Sequence, residues 1–226
     1  MTEKEKMLAG KIYDPSEPEL VGLRQKAHRL CLEYNQLPEI DKKRDEMMRE
    51  LGVAGGENAY FQGPVQFDYG CFTTVGEGFY ANFNFTCVDC CPVTIGDNVF
   101  VGPNVSLLTP VHPFRWQDRN PYKKPDGTVT DKEYARPITI GDNCWIAGNV
   151  SVCGGVTIGA GSEMLVNATI PAGKDNSWRG SVRYSVGEQL VCAPGLEQCL
   201  PANKKLRCRL GEDHPGPRNP YETASS

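Results

Sequence analysis

The chain has 226 residues, enough for one sizeable core with an appendage, and its 24 basic against 28 acidic residues leave a formal charge of −4. With no dominant basic block nucleic acid is a poor partner, and with no apolar run of about 18 residues there is no membrane span. The charged N-terminus "MTEKEKMLAG" does not have the pattern of a secretion signal, so a soluble, cytoplasmic protein with ten reduced cysteines is expected, and the sequons at Asn84, Asn104, Asn149 and Asn167 read as chance matches.

Residues 1–55 read as a helical cap. Leu20, Leu23, Ala27, Leu30 and Tyr34 fall at helical spacing between Pro18 and Pro38, and a second helix over about 39–51 stops at Gly52. The stretch "ENAYFQG" resembles a protease site used in expression vectors, but it runs unbroken into "PVQFDYG" and reads as native.

From residue 75 the period becomes six. Val75, Ala81 and Cys87 are followed, after a two-residue offset, by Ile95, Val101 and Leu107, and the series resumes at Ile140, Ile146, Val152, Ile158, Met164 and Ile170. Small residues often sit four positions after each. Neither the turn of an α-helix nor the simple alternation of a strand matches this pattern, which is the hexapeptide repeat of a parallel β-helix over residues 56–172. A polar, proline-rich loop over 110–137 interrupts it, and long loops in compact domains tend to be functional. After about residue 172 the period vanishes, and 173–226 reads as an irregular or disordered extension.

Three histidines limit any histidine mechanism. His28 fits an ordinary helix position and His214 a tail, whereas His112 follows a coil at the root of the loop, held extended by Pro113. Placed there, an imidazole suits a general base or a metal ligand. Three-histidine zinc needs all three on the coils, which the sequence denies. "CVDCC" contains one CxxC spacing, Cys87 to Cys90, that could bind zinc or act as a redox pair, but no second CxxC accompanies it; Cys144, at a small inward position, and Cys153 beside one read as packing. Phosphate-binding and serine-hydrolase motifs are missing.

"MLAGKIYDPSEPEL", "DYG", "FYANFN", "TIGDNV", "TPVHP", "RPITIGDNCWIAG" and "GGVTIGAGS", in order over about residues 5–165, closely resemble the maltose and galactoside O-acetyltransferases. The resemblance implies a mainly β, left-handed β-helix homotrimer that transfers acetyl from acetyl-CoA to a sugar hydroxyl at sites between subunits, with no metal. It implies His112 as general base, with Asn82 at the reacting centre. Asp14, Arg24, Asp68, Tyr80, Asp89 and Glu133 are expected to line the acceptor site. Trp145 is expected beside the CoA arm and the Gly148 N–H on the thioester oxygen. Cys90 stands where the galactoside enzymes carry a second aspartate, which points to a maltose-type acceptor. The family's usual ending is unrecognisable after Ile170, so a β-helix scaffold with impaired catalysis is an alternative; a second keeps the chemistry with a non-sugar hydroxyl acceptor, against which the maltose-like cap argues.

Overall fold

The computed structural model describes residues 1–56, 58–164, 167 and 169–170, and the backbone alone of 177–178, 183–184 and 190–191. The rest of the expected extension over 173–226 lies outside the described residues.

Three helices precede the sheets. The first, α1 (Glu3–Leu8), is too short for periodicity to reveal; its signal is a capping box, in which Thr2 Oγ1 accepts from the Glu5 N–H and Glu5 Oε2 accepts from the Thr2 N–H. The second, α2 (Pro18–Tyr34), starts at the expected proline and ends short of Pro38. The third, α3 (Lys43–Leu51), begins later than residue 39, because the Asp41 carboxylate takes the Lys43 N–H and holds a turn there. Gly52, at φ +89°, ends it as expected.

The remainder winds as a parallel β-helix with three faces. Face one stacks Ala54–Gly55, Thr73–Val75, Val93–Ile95, Ile138–Ile140, Thr157–Ile158 and Ser177–Trp178. Face two stacks Tyr60–Phe61, Tyr80–Ala81, Phe100–Val101, Trp145–Ile146 and Glu163–Met164. Face three stacks Val65–Phe67, Phe85–Val88, Ser106–Leu108, Ser151–Cys153 and Thr169–Ile170. Every hexad residue from Ile95 to Ile170 named above points inward and is at most 4% exposed, and burying each such side chain contributes about 1.5–3 kcal/mol.

The winding starts a full coil earlier than the aliphatic pattern, because its first inward residues are aromatic. Phe61, Phe67, Phe79 and Phe85 pack with ring centroids 5.2–6.2 Å apart and plug the first coil, beneath Ala27, Leu30 and Tyr34 of α2. Tyr60–Phe61, inside the tag-like stretch, is therefore part of the fold.

The corners explain the repeat's composition. Asn84, Asn104 and Asn149 adopt left-handed φ of 58–60° between faces two and three, and their amides form a ladder, Asn84 Nδ2 to Asn104 Oδ1 (2.8 Å) and Asn104 Nδ2 to Asn149 Oδ1 (2.9 Å). These sequon asparagines are corner residues. Between faces one and two, Asp97 Oδ1 accepts from the Glu77 N–H and Asp142 Oδ1 from the Asp97 N–H, so each coil's aspartate caps the coil before it.

Register distinguishes early coils from late ones. Thr74 pairs with Thr94 and Thr139 with Thr157, so an early coil is longer than a late one by two residues. The extra pair sits at the corner between faces three and one, where 68–72 and 89–92 replace the shorter corner 154–156. On the third coil this corner expands into the long loop. It leaves through Pro110–Val111, which pairs antiparallel with the returning Tyr134–Ala135, and carries a hairpin of Tyr122–Lys123 and Val129–Thr130.

Candidate active site

The enlarged corners, the loop and the cap meet along one edge of the β-helix. Asp68, Asp89 and Thr109 mark successive coils there, and Tyr13 of the cap packs at this edge in one buried cluster with Tyr69 and Cys90.

His112 lies at the loop's root, 45% exposed, with Nε2 3.6 Å from Glu133 Oε1. The other Glu133 oxygen accepts a 2.5 Å hydrogen bond from the Tyr13 hydroxyl, and the Tyr13 N–H donates to the Glu133 carbonyl (3.0 Å). Tyr13 is 2% exposed; burial, with the neighbouring Cys90 and Glu133, pushes its hydroxyl far above the ordinary phenol range, so it stays a donor. Ligand atoms of His112, Asp131 and Glu133 lie within 4.8 Å of one another, the one three-residue donor set among the described residues with metal-ligand reach. Two partly exposed carboxylates beside an imidazole are not by themselves evidence of an ion.

Asp14 is more occupied than an acceptor ligand would be. Its Oδ1 takes Thr130 Oγ1 (2.5 Å) and the N–H and hydroxyl of Ser16, and its Oδ2 takes Lys124 Nζ (2.7 Å). Partial burial pushes this carboxyl up, but the donors from Lys124, Thr130 and Ser16 outweigh it and hold the group well below the usual carboxylate range. Arg24 is likewise engaged, through Nη1 to the Tyr69 hydroxyl (2.6 Å) and Nη2 to the Pro15 carbonyl (2.7 Å). Asp68 stays partly exposed, with His28 Nε2 at 3.2 Å from Oδ1 and Cys90 Sγ at 3.6 Å from Oδ2. His28, which the sequence presents as an ordinary helix position, thus belongs to this edge.

Asp89 departs from its expected place in the acceptor site. It is fully buried and accepts from the Tyr69 N–H (2.8 Å), the Gly70 N–H (3.2 Å) and Thr73 Oγ1 (2.9 Å). The enlarged corner leaves these donors without ladder partners, and the carboxylate supplies them. Cys90 and Cys87 are also buried; burial first, then nearby carboxylates, raise both thiols well above their ordinary value, so the thiolate that zinc or redox chemistry needs is disfavoured.

The remaining expected residues form a second group. Tyr80 lies on the outside of face two, stacked on Tyr60 at 6.0 Å, in a ladder that continues through Phe100 to Trp145, itself 48% exposed. Asn82 and Gly148 sit at the corner between faces two and three. Asn82 Oδ1 accepts from the Phe83 N–H, while its Nδ2 has no partner among the described residues. The Gly148 N–H is also unpaired among them, as a donor to a developing oxyanion must be. A Cβ on Gly102 would lie 2.7 Å from the Gly148 nitrogen, so the glycine beneath keeps this amide accessible.

The chain matches the family model described as the maltose acetyltransferase hexapeptide capping motif over residues 6–51, and that of the hexapeptide repeat of succinyl-transferase over 92–112 and 137–163. A crystal structure of a hexapeptide-repeat-containing acetyltransferase from Vibrio cholerae, complexed with acetyl coenzyme A, is 32% identical and superposes with a TM-score of 0.63, covering 80% of this chain and 89% of that one. The chain belongs to the hexapeptide-repeat acetyltransferases. A maltose O-acetyltransferase from Clostridium difficile is 38% identical over 76% of this chain and 90% of its own, with a TM-score of 0.60. The galactoside O-acetyltransferase of Escherichia coli is 40% identical over 114 residues, 50% of this chain and 56% of that enzyme. The two curated relatives matched at 40% identity are spanned over only 56% and 63% of their length. Among the described residues of this family member, no helix is long and apolar enough to cross a membrane.

Proposed function

We propose that this hexapeptide-repeat acetyltransferase is a homotrimer that transfers acetyl from acetyl-CoA to a hydroxyl of maltose, glucose or a similar sugar, with His112 as general base. The observation that carries the reading is the partly exposed imidazole beside Glu133, on an edge covered by a maltose-type cap.

In this mechanism His112 removes the acceptor hydroxyl proton as the oxygen attacks the thioester carbon. The Gly148 N–H and the Asn82 amide receive the developing negative charge. Collapse forms the C–O bond and breaks the C–S bond, and the proton on His112 passes to the departing CoA sulfur. Trp145 flanks the CoA arm. Asp68, with a partly exposed carboxylate, is the best-placed ligand for an acceptor hydroxyl; Asp14, Arg24 and Asp89 shape the site from behind.

The test is CoA thiol release from acetyl-CoA in the presence of maltose, glucose and a panel of non-sugar alcohols. His112→Ala is expected to lower kcat by about 10²–10⁴ with acetyl-CoA binding retained. A wild-type rate in that variant removes the base from the mechanism. A folded protein that binds no CoA by calorimetry favours the scaffold reading.

A further inference from the structure

Among the described residues, the imidazole at the loop's root makes no hydrogen bond to its own limb of the loop. His112 is 45% exposed, the loop that carries it spans roughly 110–137, and Glu133, on the returning limb, is the one carboxylate within 4 Å of its ring among the described residues, with Asp131 a little further off. Glu133 is in turn fixed from the cap. Tyr13 reaches it through two hydrogen bonds, hydroxyl to Oε2 and N–H to carbonyl, in the isolated bridge that joins the two segments. The next residue, Asp14, grips the hairpin further out through Lys124 and Thr130.

We propose that Tyr13 is a positioning residue for the reaction: anchored in the cap, it holds Glu133 so that the free carboxylate oxygen orients the His112 ring, and Asp14 fixes the hairpin of the same loop. This rests on the reading of His112 as general base. Without the Tyr13 hydroxyl, Glu133 Oε2 has no donor among the described residues, and its side chain is free to turn away from the imidazole. The 3.6 Å from Glu133 Oε1 to His112 Nε2 is longer than a hydrogen bond, as contacts in a substrate-free site often are. Misplacing a catalytic group by about 1 Å can cost about 10²-fold, so loss of one anchor of two is expected to cost about tenfold. The buried Tyr13 ring packs with Met7, Leu20 and Tyr69, contacts that phenylalanine keeps.

The experiment compares full-length Tyr13→Phe, Glu133→Ala, the double variant and His112→Ala in steady-state acetyl transfer, with melting curves for each. Tyr13→Phe is expected to lower kcat about tenfold with the KM for acetyl-CoA changed less than about twofold. The double variant is expected to be no slower than Glu133→Ala, since both remove one device. A wild-type kcat in Tyr13→Phe alongside an inactive His112→Ala overturns the positioning role of Tyr13 and leaves the base in place. An active His112→Ala overturns the base reading itself. Losses that multiply in the double variant show that Tyr13 does not act through Glu133, and overturn the proposal. If Tyr13→Phe fails to fold, Glu133→Ala alone decides: its kcat must fall at constant acetyl-CoA KM.

Discussion

The carboxylate of Asp14 accepts four hydrogen bonds from Ser16, Lys124 and Thr130, and their preference for its charged form sets the sign of a pH effect. A carboxyl depressed on folding stabilises the native state above its unfolded pKa, near 3.9, and that contribution is lost as pH falls through the folded value. Asp14→Asn is therefore expected to lower Tm by about 2–6 °C at pH 6–8, with the gap to wild type narrowing below about pH 4. A gap that is constant down to pH 3 argues against the charge. Asp14 stands out in "YDP", but a sequence cannot say whether a carboxylate faces a ligand or a lysine on a distant hairpin. The same holds for Asp89, whose donors come from the corner of the preceding coil. His112 is legible because there are few histidines; Tyr13, Lys124 and His28 are not, because their roles depend on which loop lies over the cap.

The hexads are legible because each inward position on a coil has the same geometry, so one rule is written repeatedly into the chain. The first coil escapes that rule by plugging an open end with phenylalanines, and the cap helix α1 spans too few turns to show a period. Glycines in the repeat and in the cap have separable purposes, and two substitutions distinguish them. A Cβ on Gly96 would lie 2.1 Å from Asp142 Oδ1, the oxygen that caps the Asp97 N–H, and 2.8 Å from the Asp142 nitrogen. Gly96→Ala is expected to cost about 1–3 kcal/mol through overpacking of a stacked corner. Gly22, in α2, has no other group within 4 Å of where a Cβ would stand, and Gly22→Ala is expected to gain up to about 1 kcal/mol from helix propensity. Differential scanning calorimetry on both variants checks the pair. Equal effects would mean that corner stacking does not constrain Gly96.

The two groups of candidate residues lie on opposite sides of face three. Asn82 and Gly148 occupy the corner where that face begins, on different coils with Gly102 between them. His112 leaves from the corner where the face ends. From Asn104 to Thr109 the chain runs through mostly extended backbone, on the order of 15 Å, before the loop turns outward. One thioester cannot take an N–H from the first corner and receive its leaving group's proton from a base at the second within a single chain. In a closed trimer, a neighbour's loop can meet the Asn82–Gly148 corner, so each site would draw its donors and its base from different subunits. Co-expression of Asn82→Ala and His112→Ala chains tests this. Random assortment of two inactive chains should restore about a quarter of the wild-type activity per site, because one site in four pairs an intact Asn82 with an intact His112. Mixed assemblies as inactive as their parents would put both groups in one chain and overturn the shared site.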